Sequence, residues 1–308
     1  MLVIANEEAG SAERDSVAAA LAILGESEPV ELAYSRDRDH MHDILDRRGD
    51  SRLVVAGGDG SLHAVVAALY GRGELQDCWL GLLPLGTGND LARGLGIPLD
   101  PESAARIIVS GQPRRLDLLV DDNGGVVVNA VHAGVGALAA QTAGTLKPRM
   151  GRFAYPVGAL AAGLRARGWR LEVRVDGESV VEPHDRSLMV ALSNGPSIGG
   201  GIARVHPESV PHDGLADVVV SRAVGPLARI GYAVDLSRGT HLDRSDIRVA
   251  RGRHVTVSGD PFFTVADGEI DGPMTQRSWT LEPAAWQLSS PRPPNPPPLE
   301  HTQEVAEP

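Results

Sequence analysis

The chain has 308 residues, enough for two domains with a sizeable core. Its net charge of −11 argues against a general nucleic-acid binder, which needs a basic face, and its one cysteine, Cys78, excludes a disulfide framework or a cysteine-based metal cluster. Lys147 is the only lysine and Pro148 follows it, so a phosphate loop ending in Gly-Lys-Ser/Thr is ruled out.

Leu2–Ala5 reads as a first buried strand, and Val17, Ala20, Leu21 and Leu24 as the face of a following helix. Pro29–Ser35 is a second strand. Asp37–Arg48 is a polar surface helix with Met41, Ile44 and Leu45 on its inner side. Leu53–Ala56 is a third, fully apolar strand. It runs into Gly57-Gly58-Asp59-Gly60-Ser61 and then a helix whose apolar face is Leu62, Val65, Val66 and Leu69. Trp79–Leu83 is a fourth strand ending at Gly86-Thr87-Gly88-Asn89-Asp90. Short helices follow at Leu91–Leu95 and Pro101–Ser110. Strand–helix alternation with glycine turns after the strands predicts a doubly wound, mostly parallel α/β domain over residues 1–117. Ligands of such sheets sit at the carboxyl ends of the strands.

From Leu116 the texture changes to valine-rich runs separated by turn signals. They fall at Leu116–Val120, Val126–Val131, Trp169–Val175, Ser179–Val181, Leu188–Leu192, Ala216–Ser221, Ile247–Ala250, His254–Ser258, Phe262–Ala266 and Trp279–Leu281. Asp176-Gly177 marks a hairpin. Helices interrupt at Arg152–Arg167 and Pro226–Ser237. This predicts an antiparallel, β-sandwich-like second domain over 118–288, its last segment returning to the first domain. A proline-rich, disordered tail follows at 289–308.

A glycine turn that opens a helix is an anion site, because the first-turn N–H groups are free and the helix dipole favours negative charge. Asp59 is out of place there unless a metal or a proton transfer is involved. Asp267 and Glu269 lie two apart, on one face if the segment is extended, and either could take a proton. The plain alternative for each Asp-Gly pair is a turn.

The pair Gly57-Gly58-Asp59-Gly60-Ser61 and Pro84-Leu85-Gly86-Thr87-Gly88-Asn89-Asp90-Leu91-Ala92-Arg93-Gly94-Leu95-Gly96-Ile97-Pro98 resembles the diacylglycerol kinase catalytic-domain family, which includes sphingosine, ceramide and bacterial lipid kinases. Asn6 to Gly10 resembles its N-terminal turn, with Glu7 where proline is usual. Asp117, Asn129 and Ala133–Gly136 resemble the crossing into the second domain. Ser193-Asn194-Gly195, Gly199–Gly201, Asp213-Gly214-Leu215 and Asp267-Gly268-Glu269 resemble its later motifs. The matching runs over roughly residues 1 to 285.

The resemblance implies transfer of the γ-phosphoryl of ATP to a lipid hydroxyl in a cleft between the domains. Backbone N–H groups from Gly57, Gly58, Asp59, Gly60, Ser61, Leu62 and His63, with the turn at Asn6 and Gly10, would hold phosphates. Gly86, Thr87, Gly88, Asn89 and Asp90 would form a second wall, Thr87 bonding the nucleotide. Asp59 and Asp90 would organise Mg²⁺. Glu269 is favoured as base on the family pattern, with Asp267 its partner, and Asp59 is the other candidate. A second Mg²⁺ would be structural, on Asp213 and the carbonyls of Val210 and Leu215. Ser61 stands for the commoner threonine and His63 for the commoner asparagine.

The expected partner is a lipid alcohol met by transient contact with a membrane surface, from a cytoplasmic, peripheral position. Arg149, Arg152, Arg165, Arg167 and Arg170 are the basic residues that could approach anionic lipid. A homodimer is compatible, and nucleic acid is not expected. The competing readings are an NAD kinase-like or other small-molecule kinase, and a non-catalytic lipid-binding regulatory protein.

Overall fold

The structure is a computed structural model and describes residues 1–6, 11–135, 168–201 and 203–291, with 11–16 in backbone only. Gly10, the helix expected at 152–167, four of the five arginines proposed to face lipid, and the tail beyond Pro291 lie outside the described residues.

The first layer is parallel. β1 (Leu2–Asn6), β2 (Glu31–Ser35), β3 (Leu53–Gly57) and β4 (Trp79–Pro84) lie in the order β2-β1-β3-β4. Buried on both faces, β3 is a continuous apolar run rather than an alternating one. α1 (Ser11–Gly25), α2 (Arg38–Arg47), α3 (Asp59–Gly71), α4 (Asp90–Gly94) and α5 (Pro101–Ser110) connect the strands and lead into β5. The inner face of α3 is Leu62, Val65, Val66 and Leu69, as its spacing predicts, all within the core. From β1 the chain moves outward to β2, then returns across β1 to β3. The topological switch point is therefore between β1 and β3, where Asn6 and Gly57 end their strands.

β5 (Gln112–Asp121) crosses to the second half, whose strands are antiparallel. β6 (Val126–Val127), β7 (Ala130–Gly134), β8 (Trp169–Val175), β9 (Glu178–Val181), β10 (Arg186–Ser187), β11 (Met189–Ser193), β12 (Ala216–Ser221), β13 (Ile247–Gly252), β14 (His254–Ala266) and β15 (Glu269–Ser290) follow, with α6 (Pro226–Arg238) before β13. β14 changes partner along its length. Val255–Gly259 pair with β8, and after a bulge Thr264–Ala266 pair with β7. The two layers so joined face each other across Val173, Val175, Val255 and Val257 on one side and Val190, Leu192, Val218 and Val220 on the other.

Two expectations change here. The short run expected at Trp279–Leu281 is the middle of a 22-residue strand, β15. Its end returns to the first layer, with Gln287 and Leu288 parallel to Trp79 and Leu80 of β4. Ser289 and Ser290, assigned to the tail, are buried in that strand, where Ser289 donates to the carbonyl of Leu80. Period-2 patterning is weak in a strand that pairs with three different strands along its length, so the sequence showed only its most apolar stretch. Among the described residues no helix is long and apolar enough to cross a membrane.

Candidate active site

The centre is the start of α3. Gly58 is its N-cap and makes no side-chain cap bond, unlike the caps of α2 and α5, where Asp37 and Asp100 accept from the chain. Leu62 N–H already donates to Gly58 O at 3.1 Å, and Gly57 belongs to β3. The expected span of phosphate-holding N–H groups, Gly57 to His63, therefore narrows to the uncapped ones, Gly58 to Ser61.

The two glycine turns touch. A Cβ on Gly58 would come within 2.8 Å of Gly86 Cα, so neither turn tolerates a side chain there. Asp59 sits between them, and its carboxylate points to α4. Its Oδ2 accepts from Asp90 N–H at 3.1 Å, and its Oδ1 from Leu91 N–H at 3.4 Å. Burial raises the pKa of Asp59, the two N–H groups oppose that, and the nearby charges of Asp90 and Asp267 add to the rise.

Asp90, expected to organise Mg²⁺, is a clamp. It accepts from Ser197 Oγ at 2.9 Å and from the N–H groups of Gly200 and Gly201, both at 2.8 Å. Gly199, Gly200 and Gly201 all have φ between +70° and +82°, a run that side chains would strain. Asn89 is spent within its own loop, accepting from Gly86 N–H and donating to Gly86 O. Thr87 is exposed. Asp117 and Asn194 likewise join the halves: Asp117 accepts from Gly214 and Ala284 N–H, and Asn194 donates to the carbonyls of Asp117 and Val128.

Asp267 and Glu269 are not on one face of an extended segment. Asp267 and Gly268, at φ +45° and +97°, form the two-residue turn between β14 and β15, with Ala266 paired to Glu269. Asp267 Oδ1 accepts from Asn129 and Ala130 N–H, and Oδ2 from Val128 N–H. Its side-chain partner is His63, Nδ1 to Oδ2 at 3.0 Å, and not Glu269. Burial alone would lower the pKa of His63. The hydrogen bond and charge of Asp267, with a contribution from Glu269, outweigh burial and the repulsion of Arg38 and leave it raised. Glu269 is exposed, with no side-chain hydrogen bond or ion pair among the described residues.

A cleft of about 980 Å³ opens beside these groups, at the carboxyl ends of β1, β2 and β3. Asn6, Gly60, Ser61, His63 and Glu269 line it, whereas the Gly86–Asp90 loop does not. Arg36 also lines it, as do Arg38 and His42, which read in the sequence as part of a polar surface helix. The available signal was their place after a parallel strand, at the carboxyl edge of the sheet.

The Val210, Asp213 and Leu215 set does not fit a metal as arranged. Arg251 is hydrogen-bonded to the Asp213 carboxylate, and Leu215 N–H donates to the other oxygen at 3.1 Å. Arg251 Nε also lies 2.7 Å from the buried Asp217. Among the described residues no group of three or more His, Cys, Asp or Glu side chains is placed to hold a metal ion. His132 and His241 are buried, and Nε2 of His241 lies 2.9 Å from the carbonyl oxygen of Val205. Burial pushes the pKa of His132 down to about 4.

A family model described as the diacylglycerol kinase catalytic domain matches residues 1–120, and one described as the YegS C-terminal NAD kinase beta sandwich-like domain matches residues 129–290. The chain belongs to the diacylglycerol kinase catalytic-domain family. It is thereby a lipid kinase, a phosphotransferase. A Mycobacterium tuberculosis protein described as "Diacylglycerol kinase" is 29% identical over 84% of this chain and 82% of its own length. A Pseudomonas aeruginosa protein described as "Probable lipid kinase YegS-like" is 30% identical over 88% and 92%. Solved structures share the fold: a diacylglycerol kinase from Bacillus anthracis has a TM-score of 0.70 at 16% identity, covering 94% of this chain and 96% of that one. An NAD kinase from Archaeoglobus fulgidus in complex with ATP has 0.51 at 13%, covering 94% and 93%.

Proposed function

We propose that this lipid kinase transfers the γ-phosphoryl of ATP to the hydroxyl of a lipid alcohol such as diacylglycerol. The observation that carries this reading is the uncapped start of α3 opening on a cleft at the switch point between β1 and β3. Phosphoryl transfer needs positioning and charge neutralisation more than covalent help. Backbone N–H groups from Gly58 to Ser61 suit the phosphate oxygens, and Ser61 adds a hydroxyl at the cleft wall. Glu269 and His63 are the proton-accepting side chains on that wall. Asp59 and Asp267 act as positioning residues, one fixing α4 and the other His63. Mg²⁺ arriving with the nucleotide would neutralise phosphate charge, and Glu269 is the cleft carboxylate left open to it or to its waters.

A lipid hydroxyl is presented at a membrane surface, so transient contact with one is part of the proposal. Leu227, Ile230 and Val234 of α6, spaced i, i+3 and i+7, form an exposed apolar row suited to it. The test is transfer from γ-labelled ATP to a total lipid extract, run beside NAD, with products identified by mass. A phosphorylated lipid is the expected product. Labelled NADP without labelled lipid would overturn the acceptor, and no labelled product with any nucleoside triphosphate would overturn the donor.

A further inference from the structure

We propose that Arg38 holds the polyphosphate chain of the nucleotide across the cleft from the start of α3, supplying the fixed positive charge that lysine-bearing phosphate loops take from their lysine. The inference rests on ATP as donor, as proposed above.

A triphosphate brings about four negative charges, and backbone N–H groups offset only part of that. The one lysine, Lys147, lies outside the described residues. The cations among the lining residues are therefore Arg36, Arg38 and the two histidines, His42 and His63, when protonated.

Arg38 differs from arginines elsewhere in the molecule that are held by acids. Arg48, Arg72, Arg244, Arg251 and Arg277 are each held by a carboxylate. The Arg38 guanidinium has no hydrogen bond or ion pair among the described residues, although acids line the same cleft. Those acids are committed elsewhere. Asp37 caps α2 by accepting from His40 N–H at 2.8 Å, and Asp121 and Asp271 both bind Arg277. Among the described lining residues only Glu269 is left, and Arg38 is near enough to His63 to oppose its protonation.

The position of Arg38 also runs against stability. It is the first residue of α2, where the helix dipole disfavours a cation. The same residue lines the cleft that Gly60 and Ser61, at the uncapped start of α3, also line. An anion between the two satisfies both. The Asp37 cap fixes the backbone from which the Arg38 side chain leaves.

The test is calorimetric titration of ADP, AMP and adenosine into wild type, Arg38→Gln and Arg38→Lys, with thermal unfolding of each. A lost charge-assisted contact predicts ADP binding weaker by about tenfold or more in Arg38→Gln, a smaller loss for AMP, and none for adenosine. Arg38→Lys should recover part of the ADP affinity, and the salt dependence of ADP binding should fall in Arg38→Gln. The melting temperature of Arg38→Gln should equal or exceed that of wild type, which separates a binding role from a structural one. Unchanged ADP affinity in Arg38→Gln, or an equal loss for adenosine, overturns the inference while leaving the donor intact. A wild type that binds no adenine nucleotide overturns the donor assignment and this inference with it.

Discussion

α3 and α4 begin alike. Each follows a buried parallel strand, each is entered through a glycine turn, each has an aspartate as its first residue, and neither has a side-chain bond from its own N-cap. Yet the start of α4 is filled and that of α3 is open. The first residue of α3, Asp59, reaches over and supplies its carboxylate to the first N–H groups of α4. The first residue of α4, Asp90, reaches onward to the Gly199–Gly201 loop of the second half. Each aspartate serves the next element, and the series leaves one helix start without an anion. An aspartate in a phosphate-seeking turn is thus no contradiction, because its charge is directed away from the cleft.

The largest expected effect comes from breaking this asymmetry at Asp59. Asp59→Asn keeps the size but sets an amide NH₂ against one of the two N–H donors and removes the charge from the other bond, so α4 and the Gly86–Asp90 loop lose part of their anchor. A displacement of about 1 Å at a phosphoryl-transfer site costs roughly a hundredfold in rate. We expect kcat/KM for labelled-ATP transfer to fall at least that far while the protein remains folded by circular dichroism. Wild-type turnover in Asp59→Asn would show that the anchor is dispensable.

A smaller effect is expected about one turn further along α3, where Asp267 ties His63 to three N–H groups of the second half. Asp267→Asn should lower stability by on the order of 2 kcal/mol, since buried donors lose a charged acceptor. The pair also carries a pH signature. His63 has a folded pKa raised above its unfolded value of about 6.5. Its contribution is then fully present below about pH 6.5 and is lost as pH rises through the folded value. Urea unfolding at intervals from pH 5.5 to 8.5 should show wild type exceeding His63→Gln most at the acid end, the gap closing upward. A gap that is constant with pH would mean that the contact contributes without charge.

The open and filled starts differ in how well the chain announces them. β3, the apolar face of α3 and the Asp176-Gly177 hairpin are local facts of spacing and turn chemistry, readable without a fold. Which helix start receives a carboxylate is not local. It depends on Gly58 and Gly86 packing backbone to backbone, which brings residue 59 against residue 90. The same limit hid Arg38, which reads as the polar first turn of a surface helix until β2 is placed beside β1. Asp267-Gly268-Glu269 shows a third case. The simplest local reading, a hairpin turn, is correct, and the turn nevertheless places one carboxylate on His63 and the other in the cleft.

The smallest effect tests whether a fixed cation can replace a mobile one far from the cleft. Arg251 bonds Asp213 and lies beside Asp217, whose side chain is 1% exposed. The Asp213 end of this pair is solvent-accessible and contributes little, whereas the buried Asp217 end would be left unpaired. In the absence of nucleotide, wild-type melting temperature should therefore be the same in EDTA and in millimolar Mg²⁺. Arg251→Gln should melt a few degrees lower in EDTA, and Mg²⁺ should restore part of the loss through the freed carboxylates. If wild type itself gains stability from Mg²⁺ without nucleotide, a cation displaces the guanidinium and the Asp213 turn is a metal site after all. If Arg251→Gln loses stability that Mg²⁺ does not restore, the turn is built for arginine alone, and any divalent ion the enzyme needs is confined to the cleft beside α3.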